Sequence, residues 1–144
     1  MAGYNTSARI IPTALCATRA ARGRKSAELG RTAESIAADF LRSRGLRILV
    51  RNFRRRLGEI DLVACDESIL IVVEVRTRSS DRFGGPLESV DLGKQRRVAL
   101  ATALLLRRFP KLAQLQVRFD VVIVSDVHAR NPRVQWIRQA FDVL

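Results

Sequence analysis

The stretch from Gly58 to Arg78 (GEIDLVACDESILIVVEVRTR) constrains the fold more than any other part of the chain. It holds two apolar, β-branched runs, each too short for a stable helix, on either side of the polar Asp66-Glu67-Ser68. That pattern predicts a β-hairpin of buried strands over Gly58–Cys65 and Ser68–Thr77. Asp61 and Glu74 nevertheless sit inside those runs, where a carboxylate is hard to accommodate. With Asp66-Glu67 as the two-residue loop, Cys65 faces Ser68, Val63 faces Leu70 and Asp61 faces Val72. Side chains alternate along a strand, so Asp61 then shares a face with Glu74 and lies on its diagonal, about 7–8 Å away at Cα. Glu59 and Arg76 fall on the same side. A change of one residue in loop length would send the two acids to opposite faces.

Carboxylates gathered on one face repel unless a positive charge sits among them. A hard divalent ion with oxygen ligands, Mg²⁺ or Mn²⁺, resolves that conflict. So does a plainer arrangement, in which Glu74 pairs with Arg76 on the wet side of an edge strand. Residues 69–73 are apolar at both parities, which suits a covered central strand.

Charge narrows the partners. The 144-residue chain carries a formal net charge of +12 and a pI of about 11.5, a balance that favours a polyanionic partner. The basic residues cluster, with Arg51, Arg54, Arg55 and Arg56 in one segment and Lys94, Arg96 and Arg97 in another. Both clusters are candidates for contact with nucleic-acid phosphates. No apolar run approaches the roughly 20 residues of a membrane helix. Cys16 and Cys65 are too few for a disulfide framework, and a cytoplasmic setting is expected. His128 is the lone histidine and falls in a loop, which argues against histidine-based catalysis.

Residues 1–25 hold five basic residues and no acid, and read as a disordered basic arm, or as an extension from a start codon placed too early. Residues 26–144 read as one domain. Leu29, Ala33, Ile36, Ala37, Phe40 and Leu41 recur at helical spacing, with Ser26 as a cap and Gly45 as a stop. Glu34 falls at the edge of that apolar stripe. Leu46–Arg51 is expected as a first strand, and Asn52–Leu57 as a basic connection. Residues 79–86 form a loop that could open and close over a substrate. Asp91 caps a second helix that Pro110 stops, with Val98, Ala101, Leu104 and Leu105 facing the core. Val117–Val124 is a strand, and Val134–Ile137 with Ala140-Phe141 makes a last one.

At these residues the chain resembles the PD-(D/E)xK, or restriction-endonuclease-like, superfamily. More narrowly it resembles the YraN-type family of predicted nucleases related to archaeal Holliday-junction resolvases. The resemblance runs from about Leu29 to the C-terminus. It is carried by Gly30-Arg31-Thr32-Ala33-Glu34, Arg51-Asn52-Phe53, Gly58-Glu59-Ile60-Asp61-Leu62-Val63-Ala64 and Val73-Glu74-Val75-Arg76-Thr77-Arg78. Phe83-Gly84-Gly85-Pro86, Lys94-Gln95, Arg118-Phe119-Asp120-Val121-Val122 and Ala140-Phe141 continue it in order. It implies an α/β fold with an αβββαβ core, a mixed sheet flanked by helices. It also implies that Asp61 and Glu74 are metal ligands for Mg²⁺ or Mn²⁺. Glu34 would be a further acidic ligand or water holder, and Gln95 would sit near the site. Taken alone, Glu34 reads as an ordinary surface acid paired with Arg31, and Gln95 as a solvated first-turn residue. A homodimer is left open, since resolvase relatives act as dimers.

The chain departs from the motif at Arg76, where the superfamily usually has lysine. Arginine stays protonated, so it cannot serve as a base, though it can hold a phosphate oxygen bidentately. Lys94 is a candidate substitute that nothing in the sequence places at the site. A metal-dependent nuclease acting on DNA is therefore the leading expectation, with Arg76 among its catalytic residues. A nucleic-acid-binding protein that kept the fold without turnover is the alternative, and an RNA-associated adaptor the third reading.

Overall fold

Strand alternation and two amphipathic helices assemble into a three-layer α/β structure. The computed structural model describes residues 22–78 and 91–142. The elements are α1 (Arg22–Ser43), β1 (Arg47–Arg55), β2 (Gly58–Asp66), β3 (Ile69–Arg78), α2 (Leu92–Arg108), β4 (Gln116–Ser125) and β5 (Arg133–Phe141). One mixed sheet runs in the order β1-β2-β3-β4-β5. β3 and β4 are parallel and joined across α2, while the other neighbours are antiparallel. The αβββαβ order expected from sequence is present, extended by β5, and agrees with a restriction-endonuclease-like core. Among the described residues no helix is long and apolar enough to cross a membrane.

β3 lies at the centre of the sheet and buries both faces. Leu70 and Val72 join Val63, Val121 and the α2 residues Val98, Ala101 and Leu105. Ile71 and Val73 join Leu62, Val122 and the α1 residues Ala33, Ala37, Ala38 and Leu41. The run of alanines brings α1 close to the sheet. Helix α1 ends in Gly45, whose φ of +87° is a left-handed conformation open to glycine.

Several boundaries differ from expectation. The described part of helix α1 already runs from Arg22, so Ser26 lies inside the helix and not at its start. The rest of the basic arm, residues 1–21, lies outside the described residues, as does the 79–86 loop. β1 continues through Arg55, and only Arg56-Leu57 turns the chain into β2. On α2 the buried positions are Val98, Ala101, Thr102 and Leu105. Leu104, expected in the core, is 38% exposed. The spacing 98, 101, 102, 105 fixes one stripe, and position 104 falls about 100° from position 105, off that stripe.

The β2–β3 hairpin is correct in kind and shifted in register. Asp66 pairs with Ile69, Cys65 with Leu70 and Val63 with Val72, so the loop is Glu67-Ser68 and not Asp66-Glu67. Each partner moves by two residues. Because side chains repeat every two residues, the shift leaves the paired residues of the hairpin on their predicted faces, while Ile60, beyond the ladder, breaks the alternation and packs with Val63 on the α2 side.

Candidate active site at the end of the central hairpin

The ladder between β2 and β3 ends at Leu62 and Val73, one residue short of both Asp61 and Glu74. Beyond it β3 is no longer paired with β2, although it stays paired with β4 through Arg78, and the edge of β3 that faces β2 is open to other partners. Asp61 is one such partner: the Val75 N–H donates to Asp61 Oδ2 at 2.8 Å. The carboxylate is thereby pinned at the fork, beside Glu74.

The local backbone bends to make room. Asn52 on β1 has a φ of +53°, a left-handed conformation that asparagine tolerates better than most residues. Val50 and Phe53 consequently pack on the α2 side. Arg51 turns to the α1 side, where its Nη2 donates to Ser35 Oγ at 2.9 Å. The Asn52 side chain hydrogen-bonds Glu34 on α1. Asn52 thus orients an acid of the site, a role the sequence did not signal because Asn52 reads there as the start of a connection and not as part of β1.

Glu34 and Glu74 are both buried, Glu74 to 4% exposure. One oxygen of each, Glu34 Oε2 and Glu74 Oε1, is buried without a hydrogen bond of proper geometry. Glu74 Oε1 is instead in ion-pair contact with the Lys94 ammonium, which reaches over from the first turn of α2. Glu74 therefore lies on a covered central strand and not on the wet side of an edge strand.

Charge crowding is visible in the proton affinities. Burial, and then the charge of Glu74, push the Asp61 carboxyl up to about 7, with Glu34 adding to the rise and the Val75 N–H and Lys94 opposing it. Burial also raises Glu34, against the lowering pull of Asn52, Arg54 and Arg51. Glu59, half-buried and opposite Arg54 in the ladder, adds its charge to Glu34. Asp61 on β2 thus feels two further acids, Glu74 on β3 and Glu34 on α1.

Arg76 and Gln95 are both half-buried. Arg76 follows Glu74 by two on β3, and Gln95 follows Lys94 at the start of α2, where its N–H donates to the Asp91 carbonyl at 2.9 Å. The Asp91 side chain caps the helix by accepting from the Gly93 N–H.

The β1–β2 hairpin end that carries one basic cluster is docked on the helix that carries the other. Gly58, at the start of β2, packs directly against α2: a Cβ there would fall 2.1 Å from the Arg97 carbonyl oxygen. Only glycine allows this approach, and it docks the Arg55–Gly58 end of the β1–β2 hairpin on α2 at Arg97 and Ala101. Arg55 lies 4.2 Å over the Phe53 ring, which holds its guanidinium in place. Arg51, Arg54, Arg55, Arg56, Arg96 and Arg97 are exposed. A separate cavity of about 540 Å³, lined by Leu29, Thr77, Arg78, Asp126, Val127, His128 and Ala129, contains none of the expected site residues.

Asp120 is buried for a structural reason. It is 0% exposed. It accepts from Arg118 Nε and Nη2 at 2.8 Å each, from Trp136 Nε1 at 2.9 Å and from the Gln139 N–H at 2.9 Å. Gln139 has a φ of +49°, and the β4–β5 register shifts between Phe119 and Val121. Asp120 thus satisfies the backbone where β5 bends.

Among the described residues no three His, Cys, Asp or Glu side chains surround a point that could hold a metal ion. Asp61 and Glu74 supply two hard oxygen donors. That suits Mg²⁺, which is typically bound by one or two carboxylates and completed by water and substrate phosphate.

A family model described as uncharacterised protein family UPF0102 matches residues 33–124, a span that includes Glu34, Asp61, Glu74, Arg76, Lys94 and Gln95. A UPF0102 protein of Pseudomonas putida (strain GB-1) is 41% identical over 113 residues, covering 78% of this chain and 92% of the relative. One from Pseudomonas aeruginosa (strain LESB58) is 42% identical over 118 residues, covering 81% and 94%. One from Xanthomonas euvesicatoria is 46% identical over 112 residues, covering 78% and 89%.

Proposed function

Since the chain belongs to the uncharacterised family UPF0102, its function must be read from its site, and we propose that it is a divalent-metal-dependent endonuclease hydrolysing DNA phosphodiester bonds, with branched or structured DNA as the preferred substrate. One observation carries this reading. Asp61 and Glu74 lie close enough at the end of the hairpin ladder for the charge of one to raise the proton affinity of the other, and the buried Glu74 Oε1 faces a cation, the Lys94 ammonium.

Asp61 and Glu74 would hold Mg²⁺ or Mn²⁺, which when bound activates water and polarises the phosphate. The Val75 N–H fixes the orientation of Asp61, so the carboxylate need not reorganise to bind. Glu34 offers its unpartnered Oε2 to a water on the α1 side. Arg76, always charged, would neutralise phosphate oxygens and cannot take a proton. Gln95 would orient the substrate from the start of α2. Arg51, Arg54, Arg55, Arg56, Lys94, Arg96 and Arg97 would grip backbone phosphates, giving affinity without reading sequence.

The test is cleavage of linear, flapped and four-way DNA in Mn²⁺. The expected result is cleavage abolished by both Asp61→Ala and Glu74→Ala. Salt-sensitive binding without cleavage would favour the second reading, a nucleic-acid-binding protein without turnover. Arg76 at the usual lysine position favours that reading. Preference for RNA at matched salt would favour an RNA-associated adaptor.

A further inference from the structure

We propose that Lys94 is a built-in counter-ion of this site: its ammonium holds Glu74 while no divalent cation is bound, and it gives up that oxygen when one binds. The proposal rests on the metal-site reading of Asp61 and Glu74 and adds a competitor to it.

The contact is with the oxygen a cation would use. Glu74 Oε1 is buried, has no hydrogen bond of proper geometry, and meets the Lys94 ammonium in an ion pair. The two side chains are buried very differently. Glu74 is 3% exposed and Lys94 40%, so the ammonium comes in from the solvent side and closes the fork from outside. A buried carboxylate without a positive partner is costly, and Lys94 removes that cost in the metal-free protein.

The exchange needs little motion. Gly58 fixes α2 against β2, and Asp91 caps the first turn, so the backbone of Lys94 is held. Its four-carbon stem rotates freely enough to carry the charge elsewhere. Two cations cannot share one carboxylate oxygen without strong repulsion. Lys94 released from Glu74 remains beside the site on the basic surface, placed to take a phosphate oxygen of the substrate. One side chain thereby stabilises the empty site and then contributes to the loaded one.

Lysine is scarce here, with only Lys25, Lys94 and Lys111 in the chain, so amine reactivity reports on Lys94 cleanly. The experiment labels the full-length protein with a short pulse of acylating reagent, with and without saturating Mn²⁺, and reads each lysine by mass spectrometry. The expected result is a rise of at least several-fold in Lys94 labelling with Mn²⁺, and no change at the exposed Lys111. In Glu74→Gln, Lys94 should label fast in either condition. Calorimetry run in parallel should show Lys94→Met binding Mn²⁺ about tenfold more tightly than the native chain. If Mn²⁺ binds through Glu74 but leaves Lys94 labelling unchanged or lowered, the counter-ion role is overturned and the metal site stands. If no Mn²⁺ uptake depends on Glu74, both are overturned.

Discussion

At the scale of single residues, Asp61 carries the clearest consequence. Its carboxyl is raised to about 7 by burial and by Glu74. A carboxyl that binds its proton more tightly when folded stabilises the fold most below the unfolded value near 4, and that contribution is lost as pH rises through 7. Metal-free protein should therefore lose on the order of 2–4 kcal/mol between pH 4 and pH 8 through this group. Asp61→Asn keeps an oxygen for the Val75 N–H and removes the charge, so its thermal melts should flatten across that window. An unchanged pH slope in the variant would show that Asp61 is not the group responsible. Asp120 makes the opposite prediction. Its carboxylate is fully buried and accepts four hydrogen bonds, two of them from the Arg118 ion pair, so Asp120→Ala should cost about 3–5 kcal/mol in denaturant unfolding. A loss below 1 kcal/mol would contradict that reading.

At the scale of elements, the β1–β2 hairpin and α2 are joined through Gly58. A Cβ at that position meets backbone, which cannot swing aside. Gly58→Ala should destabilise by about 1–3 kcal/mol and push the arginine-bearing hairpin end off α2. Weaker DNA binding with unchanged stability would indicate a different cause. This docking was not legible in the sequence, because it depends on where a crossover helix lands. The same is true of Lys94 over Glu74. What sequence does carry is parity: the hairpin register moved by two residues, and Asp61 and Glu74 still converge because the face repeats every two. β1 runs past Arg51 to Arg55, although Arg54 and Arg55 look in sequence like part of a connection. They lie on an edge strand, where exposed basic side chains are common and protect against edge pairing. Leu104 was placed in the core because hydrophobicity alone cannot distinguish the rim of a helical stripe from its centre.

At the scale of the whole molecule, a net charge of +12 is folded into a surface whose basic hairpin and α2 flank the acidic fork. Phosphate contacts release counterions, so DNA affinity should fall linearly with salt on logarithmic axes. Arg55→Ala and Arg97→Ala should each reduce the magnitude of that slope by about 1, with little change between DNA sequences. A slope insensitive to both would place the DNA elsewhere. The arrangement as a whole turns on one claim, that Asp61 and Glu74 together bind a divalent cation. Paramagnetic-resonance titration of Mn²⁺ into the native chain and into the Asp61→Asn/Glu74→Gln double variant tests it directly. The expected result is saturable loss of the free-Mn²⁺ signal in the native chain and none in the variant; equal uptake by both, or uptake by neither, would contradict it.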